Sequence, residues 1–291
     1  MKVIEIHNLN KHYGPHHAIK DLSLSVEQGE VFGFVGPNGS GKSTAIRCML
    51  GLLHSTSGSV QILGQNAFTE GPSIRSKIGY LPSEVHYYDE MTSRELLEYS
   101  AGFYKTSDLN KIDELAEYFQ LDLSKKITDL SFGNKKKCAI IQAVIHQPKL
   151  LILDEPTSGL DPLMQNRFFD LLQSENDKGT TIFFSSHILS EVQRMCQKAA
   201  VIRDGAISAV EDIQGLLKKQ MKKVTVVFSS IPGQLNLPNG AQHEKLNHYK
   251  LTFEYVGPVG ELLNWLAKNE LQDVTLEEPD LESVFMNYYQ Q

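Results

Sequence analysis

The chain has 291 residues, a hydrophobic content of 41% and a formal net charge of −7. This length predicts about two globular domains, and the acidic balance argues against a nucleic-acid partner, which would require a basic face. No stretch reaches the roughly 18 consecutive apolar residues of a bilayer span, and the opening MKVIEIHNLNKHYG lacks the apolar segment of a signal peptide, so we expect a cytoplasmic protein.

A P-loop follows the first clear core strand. In EVFGFVGPNGSGKSTAIRCMLGLL an apolar strand at Val31–Val35 precedes the glycines, and a helix-like pattern begins after Lys42. Backbone N–H groups of such a loop, with the positive end of the helix, surround phosphate oxygens. We expect Lys42 to reach the β- and γ-phosphates and Ser43 to bind Mg²⁺. The predicted nucleotide-binding residues are Gly36, Pro37, Asn38, Gly39, Ser40, Gly41, Lys42, Ser43 and Thr44.

The segment after the P-loop predicts a helical subdomain at about residues 84–145. SRELLEYSAGFY and NKIDELAEYF carry apolar residues at the spacing of amphipathic helices. LSFGNKKK at 130–137 follows them. This small, cationic stretch suits an anion better than an apolar partner, although many surface loops would fit it equally well.

KLLILDEP at 149–156 predicts a central parallel strand that ends in two carboxylates. We expect Asp154, at the end of the strand, to bind the metal ion through a water molecule. Glu155 is the better general base, because a carboxylate near the γ-phosphate can deprotonate the attacking water, a role that contributes roughly 10²–10⁴-fold in rate.

The pattern changes after about residue 215, where the polar and basic GLLKKQMKK indicates a linker. We therefore place the first domain at 1–217 and a small α+β domain at 218–291. VTVVF, HYKLTFEYV and DVTLEEP predict strands, and VGELLNWLAKN and LESVFMNYY predict helices. No catalytic group is recognisable there, so we expect a stabilising or dimer-supporting role. The three cysteines lack CxxC spacing and predict buried or half-buried free thiols.

In this order, the motifs resemble those of the ATP-binding subunit of an ABC transporter. Beside the Walker A sequence GPNGSGKST and the Walker B sequence LLILDE, LSFGN resembles the family's signature LSGGQ, and SGLD at 158–161 resembles its D-loop. His187 in FFSSHIL matches the switch histidine, and Tyr13 in KHYG matches the aromatic residue that stacks on adenine. The resemblance covers most of the first 210 residues.

The resemblance implies an α/β fold with a P-loop NTPase core of the ABC ATPase type, an antiparallel β subdomain and a helical subdomain. It implies ATP and Mg²⁺ as ligands and a second ATPase subunit as partner, in a homodimer or a heterodimer. It also implies separate transmembrane permease subunits, with this chain peripheral on the inner face of the cell membrane. The ending PDLESVF resembles exporter ATPases of the drug, antibiotic and ABC-2 types, which favours export over import.

In this family the signature of one subunit closes over the ATP of its partner. Ser131 would cap a helix whose N–H groups face that phosphate, and Gly133 would permit close approach. The lysines at 135–137 oppose the helix dipole unless an anion lies nearby. A solvated helix face is an equally good interpretation, so we do not count them as site residues.

The resemblance assigns roles to three further residues. His187, catalytic together with Glu155, would hydrogen-bond the γ-phosphate, with a core or capping histidine as the alternative. Asp161 would link the two sites of the dimer, with a turn aspartate as the alternative. Tyr13 would stack on adenine, although tyrosine beside Gly-Pro is also common in turns.

Two departures from the family pattern concern the Q-loop and the signature. Ser83 stands where a glutamine is usual, and either Ser83, through a water molecule, or Glu84 could take its role. Phe132 and Asn134 replace a glycine and a glutamine of the signature. We expect reduced but retained activity, because the serine and the second glycine of the signature are present.

We therefore predict an ATP-binding and ATP-hydrolysing subunit that dimerises around ATP and powers transport through separate membrane subunits. The aromatic and acidic tip at 84–91 is a candidate docking surface for them, with an ordinary exposed loop as the alternative. A soluble ABC ATPase that acts on ribosomes or DNA is the second hypothesis, although such proteins usually carry two nucleotide-binding domains or long coiled coils. A regulatory protein that holds ATP without turnover is the third; the missing glutamine allows it and Glu155 disfavours it.

Overall fold

The structure is a computed structural model that describes residues 1–87, 90–104, 108–213, 222–230, 232 and 235–277. Internal contacts divide the chain into two units, Met1–Glu211 and Asp212–Gln291. The domain boundary predicted at 217/218 lies outside the described residues and stays a prediction, as does the helix predicted for LESVFMNYY. Among the described helices, none combines the length and the apolar composition of a bilayer span.

The first unit contains two sheets. In chain order its strands are β1 (Lys2–Tyr13), β2 (His16–Glu27), β3 (Val31–Val35), β4 (Ser57–Ile62), β5 (Gln65–Asn66), β6 (Ile78–Leu81), β7 (Leu150–Asp154), β8 (Thr181–Ser186), β9 (Lys198–Arg203) and β10 (Ala206–Asp212). One sheet has the order β2-β1-β4-β5, with antiparallel pairs, and the other has the order β10-β9-β3-β8-β7-β6. In the second sheet β3 pairs in parallel with β8 and β9, and β7 pairs in parallel with β6 and β8. This architecture confirms the predicted α/β fold class.

Three neighbouring strands of the parallel sheet, β3, β8 and β7, are buried along their whole length. A strand that is covered on both faces has no polar side to alternate with an apolar one, which explains the continuous apolar runs in the sequence. Phe32, Ile152 and Phe183 from these strands belong to one apolar core. The rigid sheet therefore fixes the loops that follow these strands.

The described helices of the first unit lie around this sheet or form the helical subdomain, and one further described helix belongs to the second unit. In chain order they are α1 (Lys42–Met49), α2 (Gly71–Arg75), α3 (Ser93–Ala101), α4 (Asn110–Phe119), α5 (Phe132–Val144), α6 (Pro162–Asp177), α7 (Leu189–Met195) and, in the second unit, α8 (Val259–Ala267). The predicted helix NKIDELAEYF is α4, whereas the helix predicted from SRELLEYSAGFY ends earlier, at Ala101. Thr92 and Glu95 form a capping box at the start of α3.

The second unit contains an antiparallel sheet with the order β12-β13-β11-β14, formed by β11 (Lys222–Phe228), β12 (Ala241–Asn247), β13 (Lys250–Tyr255) and β14 (Leu271–Glu277). Leu262 and Leu266 of α8 pack on its apolar side chains, including Phe253. The predicted strands and helix of this unit are present in its described part. The strand β12 was not predicted, because AQHEKLN lacks an apolar alternation.

The three thiols provide a test of the packing. Cys48, Cys138 and Cys196 are buried, and burial raises the pKa of Cys48 and Cys138 to about 11 and also raises that of Cys196. Because the thiolate is the reactive form, we expect a chromogenic disulfide reagent at pH 8 to label none of them in the native protein within minutes. Unfolding in guanidinium should expose all three. Rapid labelling of a thiol in the native protein would contradict this packing.

Candidate active site

A cavity of about 860 Å³ lies beside the loop that joins β3 to α1. This volume is within the range of roughly 300–1,000 Å³ that small-molecule sites occupy. The predicted residues among its lining are Tyr13, Asn38, Gly39, Gly41, Lys42, Ser43, Thr44, Ser83, Glu84 and Glu155. The fold thus brings together predicted residues from distant parts of the sequence.

The loop itself is shaped to hold phosphate groups. A Cβ atom on Gly36 would lie 2.3 Å from the carbonyl oxygen of Ile202, so only glycine fits there. No side chain caps the start of α1, and the buried Ser40 hydroxyl has no hydrogen-bond partner among the described residues. An uncapped helix start and an unpaired hydroxyl leave donors that a phosphate group can use.

Lys42 is buried at the start of α1, and its ammonium lies between the loop and Glu155. Nζ donates hydrogen bonds to the carbonyl oxygens of Gly36, at 2.7 Å, and Pro37, at 3.1 Å, and lies 3.5 Å from Oε1 of Glu155. Burial lowers the pKa of Lys42, and the Glu155 carboxylate opposes that shift. The ammonium can therefore exchange loop carbonyls for phosphate oxygens without leaving the site.

Asp154 is the last residue of β7 and is 2% exposed. Burial raises its pKa, whereas hydrogen bonds from the hydroxyls of Ser43 and Ser185 favour the carboxylate. The Ser185 hydroxyl lies 3.3 Å from Oδ1 of Asp154. A hydroxyl beside a carboxylate provides the oxygen ligands that Mg²⁺ prefers, so Ser43 and Asp154 fit this ion.

Glu155 combines a partly exposed carboxylate with an unusual backbone. Its φ angle of 47° lies in the left-handed region, where non-glycine residues are uncommon and cluster at functional sites. Its Oε1 lies 3.3 Å from Nδ1 of His187 and 3.5 Å from Nζ of Lys42. An imidazole and an ammonium thus converge on the carboxylate that the sequence predicts as the general base.

The predicted signature and D-loop contacts line a second cavity. Ser131, Gly133 and Asp161 line this cavity of about 360 Å³, whereas Phe132 of the signature lines both cavities. Ser131 is the N-cap residue of α5 and accepts a hydrogen bond from the Asn134 N–H at 3.3 Å. Asp161 caps α6 by accepting one from the Met164 N–H at 3.0 Å. Within one chain, therefore, these three residues do not line the cavity that contains Lys42.

Phe132 is accommodated by the D-loop of the same chain. A Cβ atom on Gly159 would lie 2.2 Å from the Phe132 ring, so the ring packs directly on this glycine. A Cβ atom on Gly133 would lie 2.8 Å from the Gly159 carbonyl oxygen, so the signature backbone also approaches the D-loop closely. Packing within the same subunit therefore favours glycine at position 133.

The remaining predicted residues lie at the edge of the main cavity. Tyr13 is 47% exposed, with Nζ of Lys11 at 5.1 Å from the centre of its ring. Ser83 and Glu84 both line the cavity, and the Glu84 side chain is largely exposed. The geometry thus leaves both as candidates for the role of the missing glutamine.

Lys136 corrects the interpretation of 135–137 as a solvated helix face. Its side chain is completely buried, and Nζ donates hydrogen bonds to the carbonyl oxygens of Pro82, Ser83 and Glu155. Helical spacing in the sequence could have indicated this burial, because Lys136 precedes the buried Ile140 by about one helical turn.

Glu191 of α7 is a second buried charged residue that was not predicted. Its carboxylate accepts hydrogen bonds from the hydroxyls of Thr157, at 2.5 Å, and Ser186, at 2.6 Å. It therefore joins the loop after Glu155 to the residue before His187. No pattern in the sequence links these positions, which only the fold brings together.

The loop geometry, the buried lysine and the paired carboxylates define a P-loop nucleotide site. The chain matches the family model described as ABC transporter over residues 19–158. The bacitracin transport ATP-binding protein BcrA of Bacillus licheniformis is 32% identical over 296 residues, covering 98% of this chain and 96% of that protein. The uncharacterized ABC transporter ATP-binding protein YdbJ of Bacillus subtilis is 37% identical over 245 residues, covering 83% of this chain and 79% of that protein.

The fold is also similar to a solved structure of an ATP-binding subunit of an ABC transporter, with a TM-score of 0.70 and 29% identity over 74% of this chain and 91% of that one. The chain belongs to the family of ABC transporter ATP-binding proteins. The predicted function as an ATP-binding and ATP-hydrolysing transporter subunit is thereby confirmed.

The Glu191 bridge can be tested through stability. Glu191→Ala leaves two buried hydroxyls without their acceptor, and we expect a loss of about 1–3 kcal/mol in the free energy of unfolding. Glu191→Gln, which retains an acceptor, should lose less. Urea unfolding followed by circular dichroism measures both, with Glu117→Ala on the exposed face of α4 as the control. Equal stability of Glu191→Ala and this control would contradict the bridge.

Proposed function

We propose that this subunit pairs with a second ATPase subunit around two ATP molecules, and that closure of the pair drives the membrane subunits. The observation that supports this proposal is the separation of two surfaces. Lys42 and Glu155 line one cavity, and His187 contacts Glu155, whereas Ser131 and Gly133 line another cavity. A nucleotide on the P-loop of one subunit can therefore be completed by the signature of the other. ATP shifts the equilibrium to the closed state because that state binds it more tightly.

In the proposed hydrolysis, water attacks the γ-phosphorus while Glu155 accepts its proton, and the bond to the bridging oxygen of ADP breaks. Lys42 transfers its hydrogen bonds from the loop carbonyls to the β- and γ-phosphates, and His187 donates one to the γ-phosphate. Ser43 and Asp154 would hold Mg²⁺, which would supply charge neutralisation at the phosphates. Ser131 and Gly133 of the second subunit contact the γ-phosphate.

The outer parts of the site complete this assignment. Tyr13 stacks on adenine, Asp161 links the two sites of the dimer, and Ser83 or Glu84 orients the attacking water. The cavity that Tyr13, Ser83 and Glu84 line with the P-loop supports the roles of these three residues.

We place the subunit on the inner face of the cell membrane, bound to permease subunits, and propose export. The similarity to a bacitracin transport ATP-binding protein and the exporter-like ending PDLESVF support this direction. The tip at 84–91, of which 88–89 lie outside the described residues, remains one candidate docking surface. Another is a cavity of about 300 Å³ with apolar and polar lining residues, among them Leu52 and Phe103, which are 56% and 68% exposed. A cytoplasmic helix of a permease would cover such a surface.

The general base and the dimer can be tested together. Glu155→Gln removes the proton acceptor, so we expect ATP turnover to fall by about 10²–10⁴-fold and Mg-ATP to convert the protein to a dimer in size-exclusion chromatography. Lys42→Ala should neither bind ATP in calorimetry nor dimerise, and EDTA should abolish the dimer. Near wild-type turnover by Glu155→Gln would contradict the assignment of the base. Lost turnover without a dimer would mean that the second subunit is a different chain.

The membrane partner can be identified by affinity capture. Tagged Glu155→Gln protein is recovered with Mg-ATP from detergent-solubilised cells, with Lys42→Ala as the control, and the captured proteins are identified by mass spectrometry. We expect a polytopic membrane protein that the control recovers less well. Ribosomal proteins or DNA-binding factors, without a membrane subunit, would instead support the soluble ABC ATPase.

A further inference from the structure

Lys136 has an environment that its neighbours on α5 do not share. Its ammonium donates to the carbonyl oxygens of Pro82, at 3.0 Å, Ser83, at 3.2 Å, and Glu155, at 3.3 Å. The three donors of the ammonium are matched by three backbone acceptors. No carboxylate of a described residue forms an ion pair with this ammonium. The side chains of Lys135 and Lys137, in contrast to that of Lys136, are only partly buried.

Burying this ammonium is costly, because transfer of a charge out of water is offset only partly by neutral acceptors. Burial lowers the pKa of Lys136 to about 8, and the nearby carboxylates of Asp154 and Glu155 oppose the shift. A methionine would pack in a similar space without this cost. The benefit that offsets this cost must therefore lie in the three hydrogen bonds that the ammonium makes.

The three acceptors belong to two loops of the active site. Pro82 and Ser83 follow β6, and Glu155 follows β7. Glu155 has a left-handed backbone that is held on both sides of its Cα atom. Its N–H donates to the Ser185 carbonyl oxygen at 3.0 Å, and its own carbonyl oxygen accepts from Lys136 and, at 3.4 Å, from the Ser158 N–H. Fixing these two peptide groups fixes the direction in which the side chain leaves the backbone.

Lys136 also belongs to the helix that begins at the signature. Ser131 caps α5, and Lys136 lies in the second turn of that helix. A movement of α5 that follows contact between Ser131 and the ATP of the partner would therefore be transmitted directly to Glu155 and to the Ser83 loop.

We propose that Lys136 is a positioning residue for ATP hydrolysis, which couples the signature helix to the general base of the same subunit. This inference rests on the proposed role of Glu155. Its three hydrogen bonds hold the Glu155 carbonyl and the Ser83 loop in the arrangement that turnover requires.

The test compares Lys136→Met, Lys136→Gln and Lys136→Arg in the full chain with Mg-ATP, with Lys125→Met as the control for loss of an exposed lysine. We expect Lys136→Met to lower kcat at least tenfold while the Kd for ATP, measured by calorimetry, changes less than twofold. Lys136→Arg should recover part of kcat. Lys136→Gln, one bond shorter, should lose at least fivefold, and it decides the question if Lys136→Met does not fold.

A double-variant comparison separates positioning from general damage. With Glu155 replaced by glutamine, the further change Lys136→Met should lower the residual turnover less than twofold, because both changes disable the same group. A kcat within twofold of wild type for Lys136→Met or Lys136→Gln, or a full additional loss in the double variant, would overturn the inference. If Glu155→Gln itself retains wild-type turnover, the proposed general base fails, which is a separate result.

Discussion

The site depends on the parallel pairing of β3, β8 and β7. Parallel strands end at the same edge of a sheet, so the P-loop, the Asp154–Glu155 pair and His187, which follow these three strands, are delivered to one place. The strands are completely buried, and the core holds this edge rigid. Contacts of 3.3 and 3.5 Å to the Glu155 carboxylate are the direct result.

Two buried lysines hold this edge in different ways. Lys42 bonds to carbonyls of its own loop and can turn to a phosphate, whereas Lys136 bonds to the backbone of two other loops. Both carry the cost of burial in the form of a lowered pKa. The two buried ammonium groups and the left-handed backbone of Glu155 each lower the stability of the fold. Catalytic centres commonly contain such unfavourable features where these orient the reacting groups.

Much of this arrangement could be predicted from the sequence. The strands at 31–35 and 150–154, the helix α4 and the P-loop have local patterns, namely continuous apolar runs, helical spacing and glycines at fixed intervals. Helical spacing also places Lys136 on the buried face of α5, but the hydrogen-bond partners of Lys136 and the Glu191 bridge could not be predicted from such patterns. Their partners are distant in sequence, so three-dimensional packing alone defines their surroundings.

In the proposed mechanism each ATP is held between the P-loop of one subunit and the signature of another. A crystal or cryo-EM structure of Glu155→Gln protein with Mg-ATP tests this arrangement. We expect a γ-phosphate within hydrogen-bond distance of Lys42 from one subunit and of Ser131 from the second. ATP bound to the P-loop with no signature residue of a second subunit beside it, in a protein that still hydrolyses ATP in its wild-type form, would contradict this arrangement.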